Sequence, residues 1–75
     1  MSEFVFDPPL RLAGNVTVRT LDDAAAFTRN YKTSRQPMVQ DGILHRLEAA
    51  SSQEQERNAA NAFRAWVEEE GILLF

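Results

Sequence analysis

The stretch that decides the fold is residues 52–75, SQEQERNAANAFRAWVEEEGILLF. It begins with Ser52 and Gln55 at the spacing of a capping box, which marks the start of a helix. The apolar residues that follow recur at i, i+3, i+4, i+7 and i+8, so they form one core-facing stripe along that helix. They are Ala59, Ala62, Phe63, Trp66 and Val67. Gly71 is placed as the C-terminal cap, and only a strand fits the short apolar run 72–75 behind it.

The segment before residue 20 predicts a β-hairpin. Residues 9–12 and residues 16–19 each alternate apolar and polar side chains, and a three-residue connection that contains Gly14 joins them. Two period-2 runs at this separation are typical of a hairpin. The last strand, residues 72–75, most simply pairs with this hairpin, which gives a three-stranded antiparallel sheet.

Two further helices are expected between the hairpin and the third helix. The first covers residues 21–31, with Thr20 at its N-cap position. Asp22 and Asp23 lie in its first turn, where carboxylates complement the helix dipole. The second covers residues 38–50 and follows a polar connection that ends at a proline, since the residue before a proline disfavours helix.

Gly42 lies inside the pattern of the second helix. A glycine there costs about 1 kcal/mol relative to alanine. Either another backbone approaches closely at this point, which we prefer, or Asp41 and Gly42 form a turn and the helix starts later.

The resulting fold class is α+β, in the order β-β-α-α-α-β, with the helices packed on one face of the sheet. Residues 9–75 form a single α+β domain, and residues 1–8 form an N-terminal arm or an extra strand. The chain has 75 residues, of which 44% are hydrophobic and 25% charged. These values are ordinary for one globular domain.

Composition argues against several classes of protein. The chain has no cysteine and therefore no disulfide or thiolate ligand, which favours a reducing cytoplasm. No apolar stretch approaches the ~20 residues of a membrane span, and the N-terminus lacks the pattern of a signal peptide. The formal net charge of −3 argues against a nucleic-acid partner, because domains that bind nucleic acid are usually basic.

The residue types at several predicted core and helix-capping positions follow a pattern that is also found in a family of small proteins. The segments concerned are residues 9–12, 16–18 and 23–25, together with Ala59, Ala62, Phe63, Gly71 and Ile72. From Asn15 onward this pattern resembles the Domain of Unknown Function 982 family, small bacterial proteins of about this length. Tyr31 stands where that family usually carries tryptophan. The resemblance concerns the fold, and it brings no established activity, substrate or cofactor.

His45 is the only histidine, and Asp41 and Glu48 can share its helix face. Imidazole titrates near neutrality, so the group could act as an acid–base pair or a metal site. Zinc usually needs three or four strong ligands, and the simpler interpretation is a solvated face with weak ion pairs. We therefore expect no catalytic residue, no metal and no cofactor, and no small-molecule substrate is evident.

Two charged groups remain. Arg29, Lys32 and Arg35 surround the end of the first helix, and Arg46 can join them across the turn. This cluster either holds a phosphate or an acidic partner, or simply complements the negative end of a helix. The acidic run 68–70 is either a surface for a basic partner or a solvated helix end.

The last strand is the most suggestive feature. Ile72 and Leu74 point to one side of it, and Leu73 and Phe75 point to the other. A sheet covered by helices on one face leaves one of these two pairs bare. Phe4 and Phe6 raise the same question at the other terminus. An uncovered apolar face usually marks an interface. We therefore expect a symmetric homodimer, or contact with another protein, unless the N-terminal arm covers that face within one chain.

The function that these observations favour is a non-catalytic protein–protein interaction module without a membrane segment. The alternative is a regulatory nucleic-acid-binding protein that uses the basic cluster. An enzyme ranks third, because a chain of this length rarely holds a preorganised pocket by itself.

Overall fold

The computed structural model describes residues 4–74. Within them two strands are followed by three helices. The elements are β1 (Val5–Leu12), β2 (Val16–Thr20), α1 (Leu21–Asn30), α2 (Pro37–Ala49) and α3 (Gln53–Glu69). α1 and α3 pack against the two-stranded sheet, and α2 packs against those two helices. The α+β class is therefore confirmed, in one small domain.

β1 and β2 form the predicted antiparallel hairpin, in which Leu12 pairs with Val16. The turn between them places Gly14 at φ 82° and Asn15 at φ 61°. These residue types enter the left-handed region most readily, so the sequence of the turn fits the conformation that the hairpin needs.

β1 begins at Val5, so residues 5–8 continue the first strand. Its pairing with β2 is irregular between Val5 and Leu10. Pro8 and Pro9 lie in this interval and have no N–H to donate to a ladder. The two prolines therefore account for a strand that is continuous along the chain but paired mainly near the turn.

The predicted third strand is reduced to one antiparallel bridge between Leu12 and Leu73. The N–H of Ala13 donates to the carbonyl of Ile72 at 2.8 Å, and the N–H of Leu74 donates to the carbonyl of Arg11 at 2.7 Å. Phe75 lies outside the described residues. The tail thus lies beside β1, on the edge opposite β2, but pairs over too short a length to form a strand.

Gly71 ends α3 as expected, at φ 76°. The N–H of Gly71 donates to the carbonyl of Glu68, and the N–H of Ile72 donates to the carbonyl of Val67, each at 3.1 Å. This pair of bonds is the Schellman motif. Ile72 therefore uses its N–H in the helix cap and its carbonyl in the bridge to the sheet, so this residue joins the end of α3 directly to β1.

The helix starts follow the sequence with one correction. Thr20 and Asp23 form a full capping box at the start of α1. Ser52 accepts from the N–H of Gln55 at 3.2 Å and so caps α3. The side chain of Gln55, however, accepts from the N–H of Ser51 at 2.9 Å, so the second half of the predicted box is displaced by one residue.

α2 begins at Pro37, a residue that suits the first turn of a helix because it lacks an N–H. Its N-cap, Gln36, makes no side-chain capping bond. Gln40 instead donates to the carbonyls of Thr28 and Tyr31 at 2.7 and 2.6 Å. These carbonyls lie at the end of α1, where backbone acceptors lack helical partners, so one amide joins the two helices.

Two explanations for Gly42 were expected, a close approach of another backbone segment and a turn that delays the start of the helix. Neither is found within residues 4–74. The residue lies inside α2, which runs through it without a turn. A methyl group added at Gly42 would meet no heavy atom within 4 Å beyond its chain neighbours and its own helix backbone. No other part of residues 4–74 approaches this glycine.

Aromatic side chains of α1 and α3 fill the centre of the core. Phe63 is fully buried, and its ring centroid lies 6.0–6.2 Å from those of Phe6, Phe27 and Trp66. The Trp66 ring also meets Tyr31 edge-on at 5.5 Å. The indole N–H of Trp66 has no hydrogen-bond acceptor within residues 4–74, so ring packing holds this side chain in place.

Replacing Phe63 with alanine should lower the free energy of unfolding by about 3–5 kcal/mol, because it leaves a cavity among three rings. Urea denaturation followed by circular dichroism measures the loss. Arg57→Ala is the matched control on the same helix, since Arg57 is exposed and should change stability by less than about 0.5 kcal/mol. Equal stability of the two variants would contradict the core assignment.

Replacing Gly42 with alanine should raise the free energy of unfolding by about 1 kcal/mol, because alanine favours a helix and meets no obstacle here. The measurement is urea denaturation at the lowest protein concentration that Trp66 fluorescence allows. A destabilised variant under these conditions would show that something inside the chain does approach the glycine.

Candidate functional site

The residues expected to form a bare sheet face point largely toward the core. Phe6 is 7% exposed, while Phe4 and Leu73 are half-buried and pack against the core cluster. Leu73 is bridged to Leu12, and directly paired residues point to the same face of a sheet. Because Leu12 faces the helices, Leu73 does so too, and Phe75 lies outside the described residues.

The outer face of the sheet is consequently polar over much of its area. Arg11 and Thr17 are cross-strand partners, and both are exposed. Arg19 lies two residues beyond Thr17 and is also exposed. The large apolar side chains exposed on the hairpin and beside it are Val5, the partner of Thr20, at 59% and Leu74 at 58%. This pair of arginines was not identified from the sequence, although the alternation within the strand places them together.

The four predicted cations lie in different settings. Arg29 donates to Glu48 at 2.7 Å, and about half of each side chain is exposed, at 57% and 50%. Lys32 and Arg35 are exposed in the connection between α1 and α2. Arg46 lies two residues from Glu48, about 200° around the helix, and lines the side of α2 that faces α3. Arg46 therefore stands apart from Arg29.

The predicted histidine group does not assemble into a site. Glu48 pairs with Arg29, and His45 is exposed. Within residues 4–74 no three histidine, cysteine, aspartate or glutamate side chains lie close enough together to hold a metal ion.

Glu70 is the polar residue whose role the sequence analysis missed. It is 8% exposed, and both of its carboxylate oxygens accept from the backbone N–H of Arg35 at 3.1 Å. The hydroxyl of Ser34 lies 3.5 Å from one of them. Glu70 therefore fixes the connection that leads into α2. One signal was available: Glu70 follows Phe63 at i+7 and so continues the buried stripe.

A groove of about 400 Å³ lies between α2 and α3, and we refer to it as the α2–α3 groove. Its floor is apolar, and it carries one charged residue of each sign. The floor residues are Val39, Gly42, Ile43, Ala62, Ala65 and Trp66, and the charged residues are Arg46 and Glu69. Among the described residues neither charge has an ion-pair partner.

Two exposed apolar side chains lie in the first turn of α2, where Val39 lines the groove and Met38 precedes it in the chain. Met38 is 88% exposed and Val39 is 45% exposed. α2 buries Ile43 and Leu47 against the rest of the molecule, so much of its apolar surface stays in contact with solvent. Contiguous surface of this kind marks interaction sites more often than scattered apolar residues do.

The two charges lie at opposite ends of the groove. α2 and α3 are joined by residues 50–52 and pack as an antiparallel helical hairpin. Arg46 is in the last turn of α2, and Glu69 is the last residue of α3. Because the helices run in opposite directions, their last turns are far apart, and the groove is positive at one end and negative at the other.

Comparison of the chain with protein-family models, with curated proteins and with solved structures gives no match. The resemblance to the Domain of Unknown Function 982 family therefore stays a prediction. Among the described residues, no helix has both the length and the apolar character needed to cross a membrane.

Replacing Glu70 with alanine should destabilise the protein by about 1–3 kcal/mol, because the part-buried hydrogen bonds from the N–H of Arg35 to this carboxylate are lost. The same change should speed hydrogen exchange at the Arg35 amide, which NMR can follow. Glu68→Ala is the matched control, because Glu68 is exposed on the same turn. An unchanged Arg35 exchange rate in the Glu70 variant would contradict this role.

Proposed function

We propose that this chain is a non-catalytic protein–protein interaction module and that the α2–α3 groove is its docking surface. The observation that carries the proposal is the apolar lining of this groove, in which Val39 is 45% exposed and is preceded in the chain by Met38 at 88% exposure. Burying side chains of this size contributes about 1.5–3 kcal/mol each, so a partner that covers them gains a large part of its binding free energy here.

The docking surface is held in a fixed position. The amide of Gln40 bonds two carbonyls at the end of α1, and Glu70 holds the connection that precedes α2. Pro37 restricts the backbone immediately before Met38. A surface that is already ordered spends less conformational entropy on binding, which suits α2 to protein recognition.

The proposed function includes no catalysed reaction. The carboxylates of Asp23, Glu48 and Glu70 serve a helix cap, an ion pair and a loop respectively. Each has a structural use that accounts for its position. We place the module in the cytoplasm, which suits a chain without cysteine.

Regulatory nucleic-acid binding through Arg29, Lys32, Arg35 and Arg46 is the weaker proposal. Arg29 is paired with Glu48, and Arg46 lies on the other side of α2. The net charge of −3 also opposes approach to a phosphate backbone.

Site-specific photo-cross-linking in cells tests the docking surface. A photoreactive phenylalanine derivative replaces Met38 in one variant, Thr17 on the outer sheet face in a second, and Arg57 on α3 in a third. We expect a discrete protein adduct from position 38 alone, and we expect Val39→Asp to remove it, because a carboxylate resists burial in an apolar contact.

The other outcomes would contradict the proposal. An adduct from position 17 alone would assign recognition to the outer face of the sheet. Equal adducts from all three positions, or an adduct at position 38 that survives Val39→Asp, would show that the groove does not select a partner.

A further inference from the structure

We propose that the α2–α3 groove is occupied by the same groove of a second copy of this chain, related to the first by a two-fold axis. This inference rests on the proposed function and names the partner of that docking surface. Two features carry it, the order of the charges along the groove and the unexplained glycine in its floor.

The charges make the groove complementary to itself. Arg46 stands at one end and Glu69 at the other, and neither has an ion-pair partner among the described residues. A two-fold axis that lies in the interface and crosses the middle of the groove at right angles turns the second copy end for end, so each Arg46 comes to the same end as the other copy's Glu69. A two-fold axis parallel to the groove would bring like charges together, which opposes binding.

The same operation places two helix pairs face to face. The result is an antiparallel arrangement of four helices, a geometry whose core is built from facing apolar residues. Met38 and Val39 of each copy, at 88% and 45% exposure, would be covered by this contact, whereas Ile43 is already buried within one copy.

Gly42 gives the independent argument. Glycine weakens a helix, and no contact among the described residues explains its presence, since the space beside it is open. That open space belongs to the groove floor, which Ala65 also lines. Small residues let another backbone approach closely, so the glycine marks the place where the helix of the second copy comes nearest.

Charge exchange tests the pairing. The parent chain should be a dimer by sedimentation equilibrium, measured across a wide range of concentration. Arg46→Glu alone and Glu69→Arg alone should each raise the dimer dissociation constant at least about tenfold, because each places two like-charge pairs in the interface. The double variant, Arg46→Glu with Glu69→Arg, should recover most of the parent affinity. Glu68→Arg is the control for an exposed charge outside the groove and should leave the dimer unchanged.

Mixing the two single variants separates this pairing from a general effect of charge. Each is predicted to dimerise weakly alone, but one carries two acidic groups in the groove and the other two basic groups. A two-fold interface predicts that they form a mixed dimer with near-parent affinity, which native mass spectrometry detects when one chain carries a heavy isotope. Failure of both the double variant and the mixture to restore association overturns the proposed pairing.

Gly42→Ala is expected to change monomer stability and dimer affinity in opposite directions. A purely structural role predicts a more stable monomer and an unchanged dimer. Close approach of a second copy predicts a more stable monomer and a weaker dimer, with Gly42→Leu weaker still. An unchanged dissociation constant in both variants would contradict close approach at the glycine.

The two proposals fail in different ways. A parent chain that stays monomeric at every concentration overturns the second copy as partner. In that case an adduct from position 38 with the mass of another protein still supports the docking surface. A cross-link from position 38 between two copies, together with the charge-exchange pattern, supports both.

Discussion

The last turn of α3 is the point on which the rest of the structure depends. Within three consecutive residues, Glu70 holds the connection into α2, Gly71 reverses the backbone, and Ile72 joins the helix end to β1. Trp66, one turn earlier, packs against the end of α1. Hairpin, helices and connection therefore meet at one helix terminus. Each of these contacts depends on the direction in which the chain leaves that terminus, and the left-handed conformation of Gly71 sets this direction.

α2 is held in a different way from its neighbours. α1 and α3 carry the rings that fill the core, whereas α2 contributes Ile43 and Leu47 and relies on polar bonds near its start. Polar anchoring lets a helix keep a fixed position without burying its whole apolar surface. This division explains how a small fold can present Met38 and Val39 to solvent while remaining ordered, and it links the packing of the core to the proposed docking surface.

Features with a local cause were predictable from the sequence. The apolar stripe of α3, the Thr20 cap and the Gly71 terminator depend on residues a few positions apart, and each was confirmed. The inward orientation of Leu73 was not predictable, because it follows from which residue of β1 it meets. Pairing between distant segments leaves little trace in local periodicity. Glu70 was missed for a related reason: its partner lies in another connection, although its place in the stripe was visible.

The exposed apolar surface of the α2–α3 groove was likewise not predictable from local sequence periodicity. The sequence analysis placed the interface on the sheet, at Phe4, Phe6, Leu73 and Phe75, because these apolar residues lie near both ends of the sequence. It did not single out the residues that line the groove. The structure turns Phe6 and Leu73 inward and leaves Met38 outside. The sequence of α2, which begins at Pro37 and contains Gly42, does not show which of its apolar residues are buried. Their burial is decided by how α1 and α3 pack against this helix.

The bridge between Leu12 and Leu73 joins segments from opposite ends of the described chain. The hairpin can form from one local segment, whereas this bridge closes a loop that contains β2 and all three helices. During synthesis on a ribosome, the apolar surface that Leu73 covers therefore stays exposed until the segment after Gly71 has emerged. A nascent chain stalled before that point would present this surface to chaperones.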